Sequence, residues 1–217
     1  VGLFLDKSAS ISLEDFLSAF VHTIAMMQTY ENIERIAFEA AEDMHKDGIK
    51  YYESRFAPLY SVNENLNLKD ILNAIQSGFI EAERKYSIKS GVIVCGMRND
   101  PSSVKFLANE VINNISESVI GFDIAGPEMG YPPSMYKEEF KKLKERGINL
   151  TIHAGEGAGV EYIKDAIECG ADRIGHGVRI IEDIDTTDEN IIFGDCLLYT
   201  SPSPRDATLS PMQACAL

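Results

Sequence analysis

Short apolar runs of strand length alternate along this chain with longer stretches of helical periodicity. The strand-like runs are Ile49-Lys50-Tyr51-Tyr52-Glu53, Gly91 to Cys95, Val119 to Ile124, Ile148 to Ile152 and Arg173-Ile174, with a sixth at Asn190-Ile191-Ile192-Phe193. The first five begin 42, 28, 29 and 25 residues apart. Several are nearly continuous in β-branched or apolar residues, as strands covered on both faces are. Between them lie apolar stripes at helical spacing: Ile33, Ile36, Ala37, Ala40, Ala41 and Met44; Leu68, Ile71, Leu72, Ile75 and Phe79 behind the N-cap Asn67; Val104, Leu107, Ala108, Val111 and Ile112 after Asp100-Pro101; Met135, Tyr136, Phe140 and Leu143; and Val160, Ile163, Ala166 and Ile167. Gly48, Gly147 and Gly170 stand where helix C-terminal glycines belong. Strands alternating with helices predict a parallel sheet with right-handed crossovers, either a (β/α) barrel or an open doubly wound sheet. No Gly-rich phosphate loop follows the first strand, which weakens the dinucleotide-binding version.

Composition narrows the function. The 217 residues carry 34 Asp and Glu against 20 Lys and Arg, a net charge of −14. So acidic a surface repels polyphosphates, which argues against nucleic acid and anionic membranes as partners. The apolar runs are too short to span a bilayer. The opening Val1-Gly2-Leu3-Phe4-Leu5-Asp6 has neither the basic head nor the length of a signal peptide. Cys95, Cys169, Cys196 and Cys215 show no paired spacing, so thiols in a reducing cytosol, and hence a cytoplasmic protein, are expected. No protein partner is evident.

The strands end in polar residues, on the face where barrel active sites are built. In Thr151-Ile152-His153-Ala154-Gly155-Glu156 a strand delivers a His, and a Gly turn then delivers a Glu. Imidazole can hold a divalent metal and the Glu can move protons; a capping His beside a solvated loop Glu fits the spacing equally well. Gly175-His176-Gly177 follows one α/β unit later, which predicts neighbouring histidines on one face; alone it also reads as a loop turn. Gly121 to Glu128 ends the preceding strand, where a glycine can expose a backbone N–H to a ligand or simply make a turn around an ordinary Asp123. Glu53 and Arg55, at i and i+2 on one side of a strand, and Arg98 are expected to form structural salt bridges inside the barrel. His22 and His45 lie on predicted helices, away from the strand ends, as structural or surface residues.

Together these blocks resemble the adenosine deaminase family of the amidohydrolase type. The resemblance runs from about Ser12 to Phe193 and rests on Ser12 to Leu17, Glu53 to Pro58, Met97-Arg98, Asp123 to Glu128, His153 to Glu156 and Gly175 to Gly177. It implies a zinc-dependent TIM-type (β/α)8 barrel that hydrolyses adenosine, or 2′-deoxyadenosine, to inosine and ammonia in purine salvage, with a purine nucleoside as its small-molecule partner. In that resemblance His153 matches a Zn2+ ligand and Glu156 the acid that protonates the purine nitrogen beside the attacked carbon. His176 matches the base that orients the metal-bound water, and Gly126 the glycine whose N–H contacts the purine.

The departures shape the expectation further. The family's His-x-His ligand pair has no counterpart in this sequence, and its last zinc-binding Asp and the following purine-contacting Asp are expected beyond residue 217. One of four ligands is therefore expected here, in a partial barrel of about strands 2 to 7, with the first and last strands missing. Residues 1–195 form the expected barrel domain. Residues 196–217 hold three of the eight prolines and break the α/β rhythm, and Cys196 to Asp206 resembles the translation of a sequencing-library adapter. This segment is expected to be a non-native or disordered tail on a fragment truncated at both ends, inactive by itself. A non-catalytic α/β binding module, or a deaminase of adenine, methylthioadenosine or another 6-aminopurine, is the alternative.

Overall fold

A computed structural model describes residues 20–113, 118–185 and 192–193. Two helices, α1 (Phe20–Met26) and α2 (Tyr30–Lys46), precede β1 (Tyr51–Phe56). There follow α3 (Leu68–Tyr86), β2 (Lys89–Met97), α4 (Pro101–Asn113), β3 (Val119–Ala125), α5 (Lys137–Glu145), β4 (Asn149–Ala154), α6 (Val160–Glu168) and β5 (Arg173–His176). The five strands pair in parallel in sequence order, β1-β2-β3-β4-β5. That order, with a helix in every crossover, is the partial TIM-type barrel expected from the sequence.

The helices start and stop on local chemistry. Asn67 accepts the Asp70 N–H at 3.0 Å and Asp70 reaches back to the Asn67 N–H, a capping box on α3 that stabilises by about 1 kcal/mol. Gly147 and Gly170 leave α5 and α6 with φ of +75° and +90°, in the left-handed region the sequence reserved for glycine. The predicted stripes face the sheet: Ile33, Ala37, Ile71, Phe79, Leu107, Phe140 and Ile163 are buried in one core with Phe56, Val94, Phe122, Ile124, Leu150 and Ile152. Met135, expected on the fourth stripe, is exposed, because it lies in the 3-10 turn Pro133–Tyr136 that precedes α5.

Those strand residues are the even-numbered ones, so the odd-numbered ones face the other way. Polar side chains gather there, Glu53, Arg55, Asp123, Thr151, His153 and Arg173, with Ile93 and Cys95 of β2 among them. Glu53 on β1 and Arg173 on β5 meet at 2.5 Å. A flat sheet at ~4.8 Å per strand would hold these two strands about 19 Å apart, beyond the reach of the two side chains. The sheet is therefore curled, with its odd-numbered face on the inside.

Two expectations need correction. The sixth run does not extend the parallel sheet: β7 (Ile192–Phe193) pairs antiparallel with β6 (Ile184–Asp185). Only six residues separate the two strands, too few for the crossover a parallel connection requires but enough for an antiparallel return. Glu53 and Arg55 are not partners of each other, since each reaches across the curl instead. The segments Ser12 to Leu17 and 196–217, including Cys196 and Cys215, lie outside the described residues. Cys95 and Cys169 are buried free thiols, and burial pushes Cys169 up to about 11. No helix among the described residues is long and apolar enough to cross a membrane.

Candidate active site

The site begins with a carboxylate that the sequence left undecided. Asp123 points into the curl with its side chain fully buried. Its Oδ2 is 2.6 Å from Arg55 Nε and 2.7 Å from His153 Nδ1, while Oδ1 accepts the backbone N–H of His153 at 3.0 Å and of Ile124 at 2.6 Å. Burial pushes this carboxyl up, yet the His153 ring, Arg55 and the N–H donors outweigh it and hold it below the ordinary aspartate value. The carboxylate also fixes the ring. With Nδ1 turned towards Asp123, Nε2 is the nitrogen that His153 can offer to a ligand.

Gly175 is the register partner of His153 on β5. A Cβ at Gly175 would stand 3.3 Å from both Cα and Cγ of His153, so the glycine makes room for the imidazole. The next residue breaks the strand pattern. His176 pairs with Ala154, which packs on the helical side, so strict alternation would turn its ring away from His153. Its φ of +65° is rare for a residue with a side chain and reverses that direction. The two imidazole centroids consequently lie 5.0 Å apart, their planes tilted by 49°. Glu156, on the loop after β4, brings Oε2 to 3.5 Å from His176 Nε2. Three of the four expected site residues, His153, Glu156 and His176, thus converge at the C-terminal end of the sheet.

Gly126 lies at the same end, just beyond β3, with φ +98°. A Cβ there would approach the tips of Met97 at 3.0 Å and Asn99 at 3.2 Å, and the positive φ itself favours glycine. Glu128, two residues on, is buried and turned to the Glu156 loop, where its Oε2 accepts the N–H groups of Glu156, Gly157 and Ala158 at 3.2, 3.0 and 2.6 Å. Arg98 is buried too, but its hydrogen bonds go to carbonyls rather than into the salt bridge expected. Nη2 donates to Ile124 O at 3.1 Å and His153 O at 2.5 Å, and Nη1 to Tyr131 O at 3.5 Å. Desolvation lowers its pKa, against the charges of Glu128 and Asp123. His22 and His45 lie on α1 and α2, away from the site as expected, His45 stacked on Tyr86.

Sequence reasoning missed Asp123 and Glu128 as organisers. Asp123 gave one usable signal, an ionisable residue inside an apolar strand, which needs a buried partner. Glu128 gave none, because it bonds backbone N–H groups, which leave no mark in a sequence.

The family model described as adenosine deaminase matches residues 3–198. The chain belongs to the adenosine deaminase family. It is 43% identical over 188 residues to the adenosine deaminase of Mycobacterium marinum, an alignment covering 84% of this chain and 52% of that protein. The chain spans about half the length of the curated relatives it matches. Among solved structures, the adenine deaminase of Arthrobacter aurescens superimposes with a TM-score of 0.74 at 22% identity, over 79% of this chain and 53% of that one. An amidohydrolase from Burkholderia ambifaria, solved with bound Zn, gives 0.71 at 22% identity, over 84% and 55%. At these identities the two structures establish the fold alone.

The donor set fits a metal in part. His153 has the tautomer-fixing carboxylate typical of a metal-bound imidazole. Among the described residues, however, no group of three or more His, Cys, Asp or Glu is placed to hold an ion.

Proposed function

We propose that this half-barrel is the purine-handling part of an enzyme that hydrolyses adenosine or 2′-deoxyadenosine, releasing ammonia. One observation carries the reading: His153, fixed at Nδ1 by buried Asp123, stands beside His176 and Glu156 at the C-terminal end of the sheet. Family membership and curated relatives named adenosine deaminase support it and favour the nucleoside over the free base.

In this reading Glu156 carries a proton to the ring nitrogen beside the amino-bearing carbon, which makes that carbon electrophilic. His176 takes the proton from the attacking water. The water oxygen bonds to the carbon, His176 passes its proton to the amino nitrogen, the carbon–nitrogen bond breaks and ammonia leaves, while the remaining hydroxyl proton returns to Glu156 as the carbonyl forms. The Gly126 backbone orients the purine, and Asp123 with Arg55 holds His153 in place. Zinc bound through His153 and through ligands outside the described residues would supply a water acidic enough to ionise near pH ~7.

The sequence holds no His-x-His, so we expect the 217-residue chain alone to bind zinc weakly and turn over little adenosine. The test compares it with a hybrid in which it is joined to the remaining half of the M. marinum relative, following the ultraviolet change from adenosine to inosine with zinc added. The hybrid should be active; Glu156→Gln should lose about 10²–10⁴-fold in rate while keeping zinc, and His153→Ala should lose both. A folded, zinc-loaded hybrid with no adenosine turnover would sink the proposal.

A further inference from the structure

The loop that carries Glu156 is held from below by a residue with no role in the reaction just described. Three successive N–H groups, of Glu156, Gly157 and Ala158, converge on the Glu128 carboxylate, with Oε1 adding a second approach to the Glu156 N–H at 3.3 Å. Glu128 is only 2% exposed. Such a nest of backbone donors around a buried anion is a rigid arrangement, because each donor released would be left unpaired.

Glu128 itself is not free to follow the loop. Its segment is pinned to α6, through Gly130 N–H to Tyr162 Oη at 3.1 Å and Ser134 N–H to Asp165 Oδ2 at 2.8 Å. On the other side Arg98 reaches the Tyr131 carbonyl. Gly126 lies two residues before Glu128 on the same short connection. One carboxylate therefore ties together the backbone that carries Gly126 and the backbone that carries Glu156, across two different β–α connections.

We propose that Glu128 is a positioning residue that sets the distance between Gly126 and Glu156, so that the purine is gripped and protonated by groups already in register. The proposal rests on the deaminase reading for its kinetic consequence. Its structural content, that Glu128 orders the loop 156–158, stands by itself. A catalytic group displaced by about 1 Å loses on the order of 10²-fold in rate, which sets the size of the effect.

The experiment has two arms. In the 217-residue chain, amide hydrogen exchange is read in wild type, Glu128→Ala and Glu128→Gln. Glu128→Ala should speed exchange at 156–158 by roughly 100-fold while leaving Phe122 and Leu150 unchanged. Glu128→Gln, whose carbonyl oxygen can replace Oε2, should restore at least half of the protection on a logarithmic scale. In the hybrid with the M. marinum half, Glu128→Ala should lower kcat about 100-fold with KM changed less than about threefold, and Glu128→Gln should recover most of kcat. Unchanged exchange at 156–158 in Glu128→Ala overturns the proposal, as does a rise in KM alone or a loss that Glu128→Gln does not relieve. If the wild-type hybrid is folded and zinc-loaded but inactive, the deaminase reading has failed, and the exchange arm alone decides whether Glu128 orders the loop.

Discussion

Asp123 holds His153 twice, at the ring Nδ1 over 2.7 Å and at the backbone N–H over 3.0 Å. The same carboxylate takes the Arg55 guanidinium from β1 at 2.6 Å, so a single buried anion links three of the five parallel strands. The bonds on both of its oxygens explain why a fully desolvated carboxylate stays ionised.

Removing that anion should be costly. Asp123→Ala leaves Arg55 without its counter-ion and the His153 N–H without its acceptor, and breaking a buried pair in this way costs about 3–5 kcal/mol. Urea denaturation should show a lower midpoint with little change in slope. A loss under about 1 kcal/mol would mean that the cluster does not hold the strands together.

Gly175→Ala tests the close approach beneath the imidazole. The added methyl would sit 3.3 Å from two His153 atoms, closer than ordinary packing. Overpacking of this kind should cost roughly 1–3 kcal/mol and displace the ring. A shift in the His153 ring resonances, together with a lower melting temperature, is the expected result.

A pH dependence follows from Asp172, just before β5. Burial raises its carboxyl, but Lys144 Nζ at 2.5 Å, the Leu150 N–H at 2.8 Å and the charge of Arg173 together hold it below its ordinary 3.8. A carboxyl depressed in the folded state contributes stability above its unfolded value and loses it as pH falls through the lower folded value. The advantage of wild type over Asp172→Asn should be full well above its ordinary 3.8 and be lost progressively as the pH falls below it. An advantage that grew on acidification would reverse the assignment.

The Glu53–Arg173 pair should couple β1 to β5 weakly but measurably. Arg173 is half exposed, which limits the pair to about 0.5–1 kcal/mol in a double-mutant cycle of Glu53→Gln and Arg173→Gln. No coupling would indicate that the curl is set by helix packing alone.

The sequence carried the strand–helix rhythm because helical stripes and apolar strands are local patterns. Of the first stripe Ile33, Ala37 and Ala41 are buried, with Ile36 and Ala40 half-buried, and Val104, Leu107, Ala108 and Val111 are all buried. What escaped was long-range pairing. Glu53 and Arg55 were legible as inward charges, but their partners Arg173 and Asp123 depend on the curl of the sheet. The two histidines were expected side by side, and the 5.0 Å between their rings agrees. The register, though, sets His153 against Gly175 rather than His176, and only the backbone turn at His176 closes the gap. No periodicity encodes such a turn.

That turn gives the two imidazoles different kinds of permanence. His153 sits on an inner strand, clamped by side-chain bonds that survive as long as Asp123 stays in place. His176 ends an outer strand of the five, and its direction depends on an unfavourable torsion as well as on its contact with Glu156. Fraying at the end of β5 relaxes that torsion first. On heating, His176 should therefore leave the cluster before His153 does, and its departure marks the earliest stage at which the folded chain ceases to hold His153, Glu156 and His176 together.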